Sequence, residues 1–311
     1  MKKFLYEILL FTLLIFICAC CLDFFLSYRL RQNQNRMYAA WNQMYNDSTC
    51  YDLVINGSSR AWTQYDPLIL DSILDLTSFN LGIDGSAINR QITKYNKYCE
   101  LHGNPKYLIQ NIDLWTMSYT MGYEREQFFS YFFYDRDLLK EYDYYENFSW
   151  GEKYLPCYRY LGYDDVITEA LFHDNKGHFF EYLTNGYFSR VEEWDGSVLY
   201  AMDSVIVATD TNAVNLFIDF LQEETGNGVK IIFVYAPIYI GAREKMLNEE
   251  EMFAMYDSIA EKFDIPILDY NDIPMCYDTT YFYNATHLNR LGAELFTTKL
   301  AHDIDSLGLS K

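Results

Sequence analysis

The sequence predicts an α/β protein: a doubly wound parallel sheet of about five strands, with an aromatic-rich insertion and one N-terminal membrane helix. Three observations lead there. Short β-rich runs alternate with helical stretches of ten residues or more, a pattern that calls for parallel strands covered by helices on both faces. The alternation is broken once, from about residue 118 to 203, by a stretch dense in tyrosine and phenylalanine. The chain also opens on a long apolar run.

Tyr51-Asp52-Leu53-Val54-Ile55 reads as the first strand, ended at Gly57. Residues near Thr77 to Leu81 form the second, closed by the turn Gly82-Ile83-Asp84-Gly85; a helix from Ala87 to Glu100 and a third strand from Lys106 to Ile112 follow. After the insertion come a helix from Asn212 to Glu224 with a turn at Gly226-Asn227-Gly228, and a very hydrophobic strand from Val229 to Tyr235 stopped by Pro237. Glu249 to Phe263 is helical again, Ile265-Pro266-Ile267-Leu268 is a short fifth strand, and Asn289 caps a last helix running to about Ser306.

From Phe4 to Leu26 the chain is almost wholly apolar, interrupted by Glu7 and Asp23, and a span of roughly 20 residues is what a bilayer core requires. The run passes through Cys18-Ala19-Cys20-Cys21 into bulky Leu22-Asp23-Phe24-Phe25, without the small-residue site that signal cleavage needs. It therefore reads as an uncleaved anchor, with lipoprotein processing at Cys20 as the alternative. The expected organisation is an anchor at 1–27, a connecting segment at 28–49 and an α/β domain at 50–311, with the N-terminus inside and the domain exported. Lys2 and Lys3 on one side and Arg29, Arg31 and Arg36 on the other do not set the orientation by charge.

Composition narrows the function. With 50% hydrophobic and 18% aromatic residues a sizeable core is available and disorder is excluded. A formal charge of −20 argues against nucleic acid and anionic membrane surfaces, and a strongly polyanionic glycan would be repelled too. Cys50, Cys99, Cys157 and Cys276 lack metal-finger or CxxC spacing, and His102, His173, His178 and His302 lack partners at ligand spacing. No phosphate loop follows Gly57, so no cofactor or metal is expected.

One constellation carries chemistry. Asn56-Gly57-Ser58-Ser59-Arg60 places a serine on the turn after strand one, and Asn284-Ala285-Thr286-His287 places a histidine just before the last helix. In an open parallel sheet both lie on the edge beyond the carboxyl ends of the strands, where ligands bind. A serine hydroxyl becomes a nucleophile when an imidazole takes its proton, so Ser59 is the expected nucleophile and His287 its base. Backbone N–H groups at such a turn can meet the oxyanion. The bland alternative makes Ser58 and Ser59 helix caps and Gly85 a turn residue.

These residues resemble the SGNH (GDSL-type) hydrolases. Gly57-Ser58-Ser59 matches their nucleophile block, Asn80-Leu81-Gly82-Ile83-Asp84-Gly85 looks like the second block, and Asn284-Ala285-Thr286-His287 stands where Asp-x-x-His belongs. The resemblance runs from about Cys50 to Leu307 apart from the insertion. It implies a flavodoxin-like sheet, an oxyanion site at the Ser59 and Gly85 amides, and Asn284 in the third triad position. The anchored layout is most similar to alginate O-acetyltransferase-like and D-alanyl-lipoteichoic-acid-related envelope proteins. The implied activity is that of a serine esterase or O-acyltransferase acting on acyl esters, acetyl foremost, of a cell-surface glycan. An acyl-donor protein is the other expected partner, and a catalytically inactive glycan-binding or assembly protein is the alternative.

Two departures matter. The family's Gly-x-Asn-Asp block has no counterpart in Asn111-Ile112-Asp113-Leu114-Trp115, which leaves the side-chain oxyanion donor unassigned. Asn284 replaces an aspartate, so either a Ser-His dyad suffices, or another carboxylate such as Asp278 serves, or the site is degenerate. Arg60, Asp113 and Trp115 are candidates for substrate contacts, with a structural salt bridge as the other role for Arg60 and loop support as the other role for Asp113. The aromatic insertion is expected to form a cap of short helices and loops that either faces a glycan or packs inward.

Overall fold

The computed structural model describes residues 1–34, 36–118, 128–132, 135, 138, 148–172, 183–197 and 203–308. The chain forms two compact units, Met1–Asn42 with Glu124–His178, and Gln43–Tyr123 with Phe179–Lys311. The segment expected to connect the apolar helix to the α/β domain carries a helix of its own, Arg36–Asn46.

The first unit is built on helix α1 (Lys2–Leu30), followed by α2 (Arg36–Asn46). Among the described residues α1 is long and apolar enough to cross a membrane, with a mean hydropathy of 2.7 over its most apolar window. It runs past residue 27 because its last turns are inside the unit: Leu26, Ser27 and Leu30 are buried, and Arg29 Nε donates to Ala170 O at 3.0 Å. Helices Trp150–Tyr154 and Asp164–Phe172 and the 3-10 turn Tyr158–Tyr160 also belong to it. Rings from the insertion, Phe129, Tyr131, Phe132 and Tyr160, are almost fully buried here, so these pack inward. The run Tyr142-Asp143-Tyr144-Tyr145 lies outside the described residues.

The second unit is the α/β domain. Strand β1 (Leu53–Asn56) leads into α3 (Ser59–Gln64) and α4 (Pro67–Leu74), then β2 (Ser78–Asn80), α5 (Ile88–His102) and β3 (Tyr107–Asn111). A small hairpin, β4 (Leu183–Thr184) and β5 (Tyr187–Phe188), precedes β6 (Lys230–Tyr235) and β7 (Ile267–Asp269); a second hairpin, β8 (Phe282–Asn284) and β9 (His287–Leu288), precedes the last helix, Arg290–Ser306. The main sheet has the order β2-β1-β3-β6-β7 with every pair parallel, in the register Ile55↔Ile109↔Ile232.

That order dictates the layers. The chain moves outward from β1 to β2, returns to the far side of β1 for β3, then continues to β6 and β7. With right-handed crossovers, α4 and the final helix fall on one face, and α5, Thr211–Gly226 and Glu249–Phe263 on the other. The contacts agree: Phe296 of the last helix meets Tyr65 at 5.1 Å, whereas Tyr95 of α5 meets Phe220 at 5.2 Å. Covered on both faces, β1 and β6 are buried almost throughout, which is why they read as continuous apolar runs. The direction of travel reverses between β1 and β3, and a crevice opens there beyond their carboxyl ends.

Candidate active site

The crevice is shaped by two close approaches. A Cβ on Gly57 would stand 2.7 Å from Ala61 Cβ and 2.8 Å from Asn111 Cβ, so only glycine lets the turn after β1 sit between α3 and the end of β3. A Cβ on Gly82 would stand 2.2 Å from the Trp62 amide nitrogen, which puts the loop after β2 directly on the α3 backbone. Asn80 clamps that loop: its Nδ2 donates to Ala61 O at 2.7 Å and to Tyr65 O at 3.0 Å, and its Oδ1 accepts from Gly82 N at 2.8 Å. Ile83 N also donates to Gly57 O at 3.1 Å.

On this frame Ser58 precedes α3 and Ser59 is its first residue. The two hydroxyls point to different partners. Ser58 Oγ donates to Asp113 Oδ2 at 2.7 Å, while Ser59 Oγ lies 2.8 Å from His287 Nε2.

His287 comes from the β8–β9 hairpin, fastened to the end of the sheet by the final helix. Asn289 caps that helix through Gly292 N at 3.1 Å, and its Nδ2 donates to Thr280 O at 2.8 Å. Asn284 Oδ1 accepts from the amides of Thr286 and His287, both at 3.0 Å, and lies 2.9 Å from His287 Nδ1. An amide oxygen only accepts, so this contact places the proton on Nδ1 and turns the Nε2 lone pair toward Ser59. Ser59, His287 and Asn284 thus form one continuous chain of contacts.

The electrostatics of His287 follow from what surrounds it. Burial pushes the imidazole down to about 3, and the positive charges of Arg60 and Arg190 act in the same direction. The ring also stacks on Tyr283, with centroids 5.4 Å apart, and Arg190 lies over the Tyr283 ring at 4.7 Å. Asp278 is not its partner. It is exposed, and its carboxylate caps the turn Thr279–Tyr281 by accepting from Thr280 N at 3.0 Å and Thr280 Oγ1 at 2.7 Å.

Ser59, Gly85, Trp115, Thr286 and His287 border a cavity of about 230 Å³. Gly85 has φ +60° and open space where a Cβ would stand. Among the described residues neither its amide nor that of Ser59 donates to a backbone carbonyl, as an oxyanion site requires. Asn111 offers no further donor to the cavity: its Oδ1 accepts from Tyr65 Oη at 2.7 Å, and its Nδ2 is turned toward Asp113 at 3.4 Å.

Asp113 and Arg60, two of the expected substrate contacts, also border the cavity. The Asp113 carboxylate is held by its neighbours. Besides Ser58 it accepts from Trp115 N and Thr116 N, both at 2.9 Å, and it is buried, so it supports the loops that frame the cavity. Arg60 forms no salt bridge among the described residues. Its guanidinium donates to Ala236 O and lies over the Tyr235 ring at 4.9 Å, with Nε and Nη1 buried and unpartnered among the described residues. Trp115 stands on the cavity wall, half-buried. Thr286, whose Oγ1 is 3.0 Å from His287 Nδ1, was present in the histidine motif but gave no signal of its own. Tyr283 and Arg190 had no signal either.

No family model matches this sequence, and no curated protein matches it. Among solved structures the chain is similar to a candidate lipolytic protein of the G-D-S-L family from Desulfitobacterium hafniense DCB-2, at 11% identity and a TM-score of 0.38, over 82% of this chain and 99% of that one. It is also similar to a candidate acylhydrolase from Bacteroides fragilis NCTC 9343, at 10% identity and a TM-score of 0.39, over 83% and 88% of the two chains. A candidate lipase from Chitinophaga pinensis DSM 2588 aligns at 13% identity and a TM-score of 0.42, over 84% and 100%.

Proposed function

We propose that this chain is a serine acyl-ester enzyme of the SGNH type, held at a membrane by α1, that moves an acetyl or similarly short acyl group on a cell-surface glycan. The observation that carries the reading is the contact chain from Ser59 Oγ through His287 to Asn284, at 2.8 and 2.9 Å, opening on a cavity that Gly85 also lines.

The chemistry runs in two halves. Ser59 Oγ attacks the ester carbonyl as its proton passes to His287 Nε2, and the carbonyl oxygen becomes an oxyanion facing the Ser59 and Gly85 N–H groups. A donor so placed is worth roughly 2.7–4 kcal/mol in the transition state. His287 returns the proton to the departing alkoxide, leaving an acyl-Ser59 ester. In the second half His287 takes a proton from water or from a sugar hydroxyl, which attacks the acyl carbon, and returns it to Ser59 Oγ as the bond from that oxygen to the acyl carbon breaks. Water gives hydrolysis; a sugar hydroxyl gives transfer.

Cavity size supports a short acyl group. At about 230 Å³ it falls below the roughly 300–1,000 Å³ of drug-sized ligand sites, enough for a few heavy atoms and too little for a long fatty chain. The Trp115 ring on its wall suits stacking on a neutral sugar, and the charge of −20 disfavours a polyanionic one. An acyl-donor protein could load Ser59 in place of a free ester.

One observation favours a second reading, in which the same crevice binds a glycan or assembly partner without turnover. His287 has an amide where a carboxylate would stabilise the imidazolium. A chain-length series of p-nitrophenyl esters separates the two. The enzyme reading expects acetate to be turned over faster than octanoate and Ser59→Ala to abolish both. Identical background rates for wild type and Ser59→Ala would leave the binding reading.

A further inference from the structure

We infer that the segment Trp150–Leu161 of the insertion is a second membrane-inserted element, lying in the bilayer against the inner flank of α1. This rests on the proposal that α1 spans a membrane, and all of its evidence lies within the first compact unit.

Depth comes from the partners along α1. Leu155, Pro156, Cys157, Tyr158 and Leu161 face Thr12, Ile15, Phe16 and Ala19 across one shallow cleft. At 1.5 Å rise per residue, Ala19 is about 10 Å and Thr12 about 21 Å inside the apolar run that ends at Leu26. Cys157 Sγ donates to Ala19 O at 3.2 Å, which fixes the segment at that level.

Most of the polar groups at this level are paired, as hydrocarbon favours. Asp23, the charge of the apolar run at this level, is fully buried and ion-paired with Arg159 at 2.7 Å, the form in which a carboxylate is tolerated in a bilayer. Its other oxygen accepts from Cys157 N at 2.8 Å, and Arg159 Nη2 also donates to Ser27 Oγ at 3.0 Å. The amides of Leu155, Tyr158, Tyr160 and Leu161 donate to backbone carbonyls, and Pro156 has no N–H to satisfy. Non-helical backbone at membrane depth must be internally paired in this way.

The outer surface is what lipid would select. Leu161 is 66% exposed and Trp150 67%, with Tyr154, Leu155 and Tyr158 also exposed. Trp150 and Tyr154 pair at 5.8 Å on a helix that also carries Glu152 and Lys153, which places that helix at headgroup level, where tryptophan and tyrosine collect. Asp164 and Asp165, both exposed, mark the return to water.

The test uses the full-length chain with p-benzoyl-phenylalanine at one position, reconstituted in phosphatidylcholine nanodiscs and irradiated. The positions are Leu161, Phe11 in the apolar run and Ile206 on the exposed surface of the α/β domain. Lipid adducts at Leu161 are expected to approach the Phe11 yield and to exceed that at Ile206 by at least about tenfold, as burial in hydrocarbon requires. Trp150 serves as a second position if the Leu161 variant does not fold. Adducts at Phe11 with only the Ile206 background at Leu161 and Trp150 would overturn the inference and leave the anchor intact. No adducts at Phe11 would remove the anchor and the inference together. In membranes of expressing cells, capture of a protein rather than lipid at Leu161 would assign the patch to a protein partner and likewise overturn it.

Discussion

Ser58 Oγ donates to Asp113 Oδ2 at 2.7 Å, so of two adjacent serine hydroxyls this one is turned away from the histidine. With Ser58 turned toward the end of β3, the Ser59 hydroxyl is left 2.8 Å from His287 Nε2. Asp113→Ala should strand the Ser58 hydroxyl and the amides of Trp115 and Thr116, lowering stability by about 2–4 kcal/mol and misplacing the cavity wall. Ser58→Ala removes one donor to a carboxylate that keeps others, and should retain most ester turnover. Thermal unfolding and turnover of the two variants check the pair; loss of all turnover in a folded Ser58→Ala would give Ser58 the role assigned to Ser59.

The glycines of the second loop separate packing from conformation. Gly82→Ala drives a Cβ to 2.2 Å from the α3 backbone and should destabilise the domain by at least about 3 kcal/mol. Gly85→Ala meets no atom but keeps φ +60°, and should cost only about 1–2 kcal/mol. Denaturant midpoints for the two variants test the difference; equal losses would contradict the close approach.

The strands were legible in the sequence because a strand covered on both faces is a continuous apolar run, and Ile231 to Tyr235 is one. The two ends of the candidate site were legible for a related reason: the Ser59 turn and the His287 loop need glycine, serine and a cap at fixed places in the chain. Helices α3 and α4 were not, since α3 is short and buries Arg60, Thr63 and Gln64 among its apolar residues. Loop support by Asp113 was one of the two roles legible in the sequence, since three of its donors are local, on Trp115 and Thr116; its bond to Ser58, 55 positions away, was not. Hydropathy likewise ended the anchor at 27, because the buried partners of Ser27 and Arg29 lie in the insertion.

Acid titration should expose the state of His287. The neutral ring is the base, and with its pKa pushed down to about 3 that form persists through mildly acidic solution. The acid limb of kcat/KM should therefore lie well below the ordinary histidine value of about 6.5. Asn284→Asp places a negative charge at Nδ1, which favours the charged ring, so the limb should move to higher pH. Turnover at neutral pH should rise by at least about tenfold, given that the reverse change in a serine protease triad lowers it about 10⁴-fold. A wild-type limb near 6.5, or a lower rate in a folded Asn284→Asp, would contradict this account of the histidine.

The most direct measurement is covalent trapping by a fluorophosphonate, which reacts only with an activated serine. Incubation of the full-length protein in detergent, followed by peptide mapping, should place one phosphonyl group on Ser59. Labelling should vanish in Ser59→Ala and fall at least about a hundredfold in His287→Ala, in keeping with the loss of a general base. A folded wild type that takes up no label, or a Ser59→Ala variant labelled as well as wild type, would contradict the claim that Ser59 is an activated nucleophile.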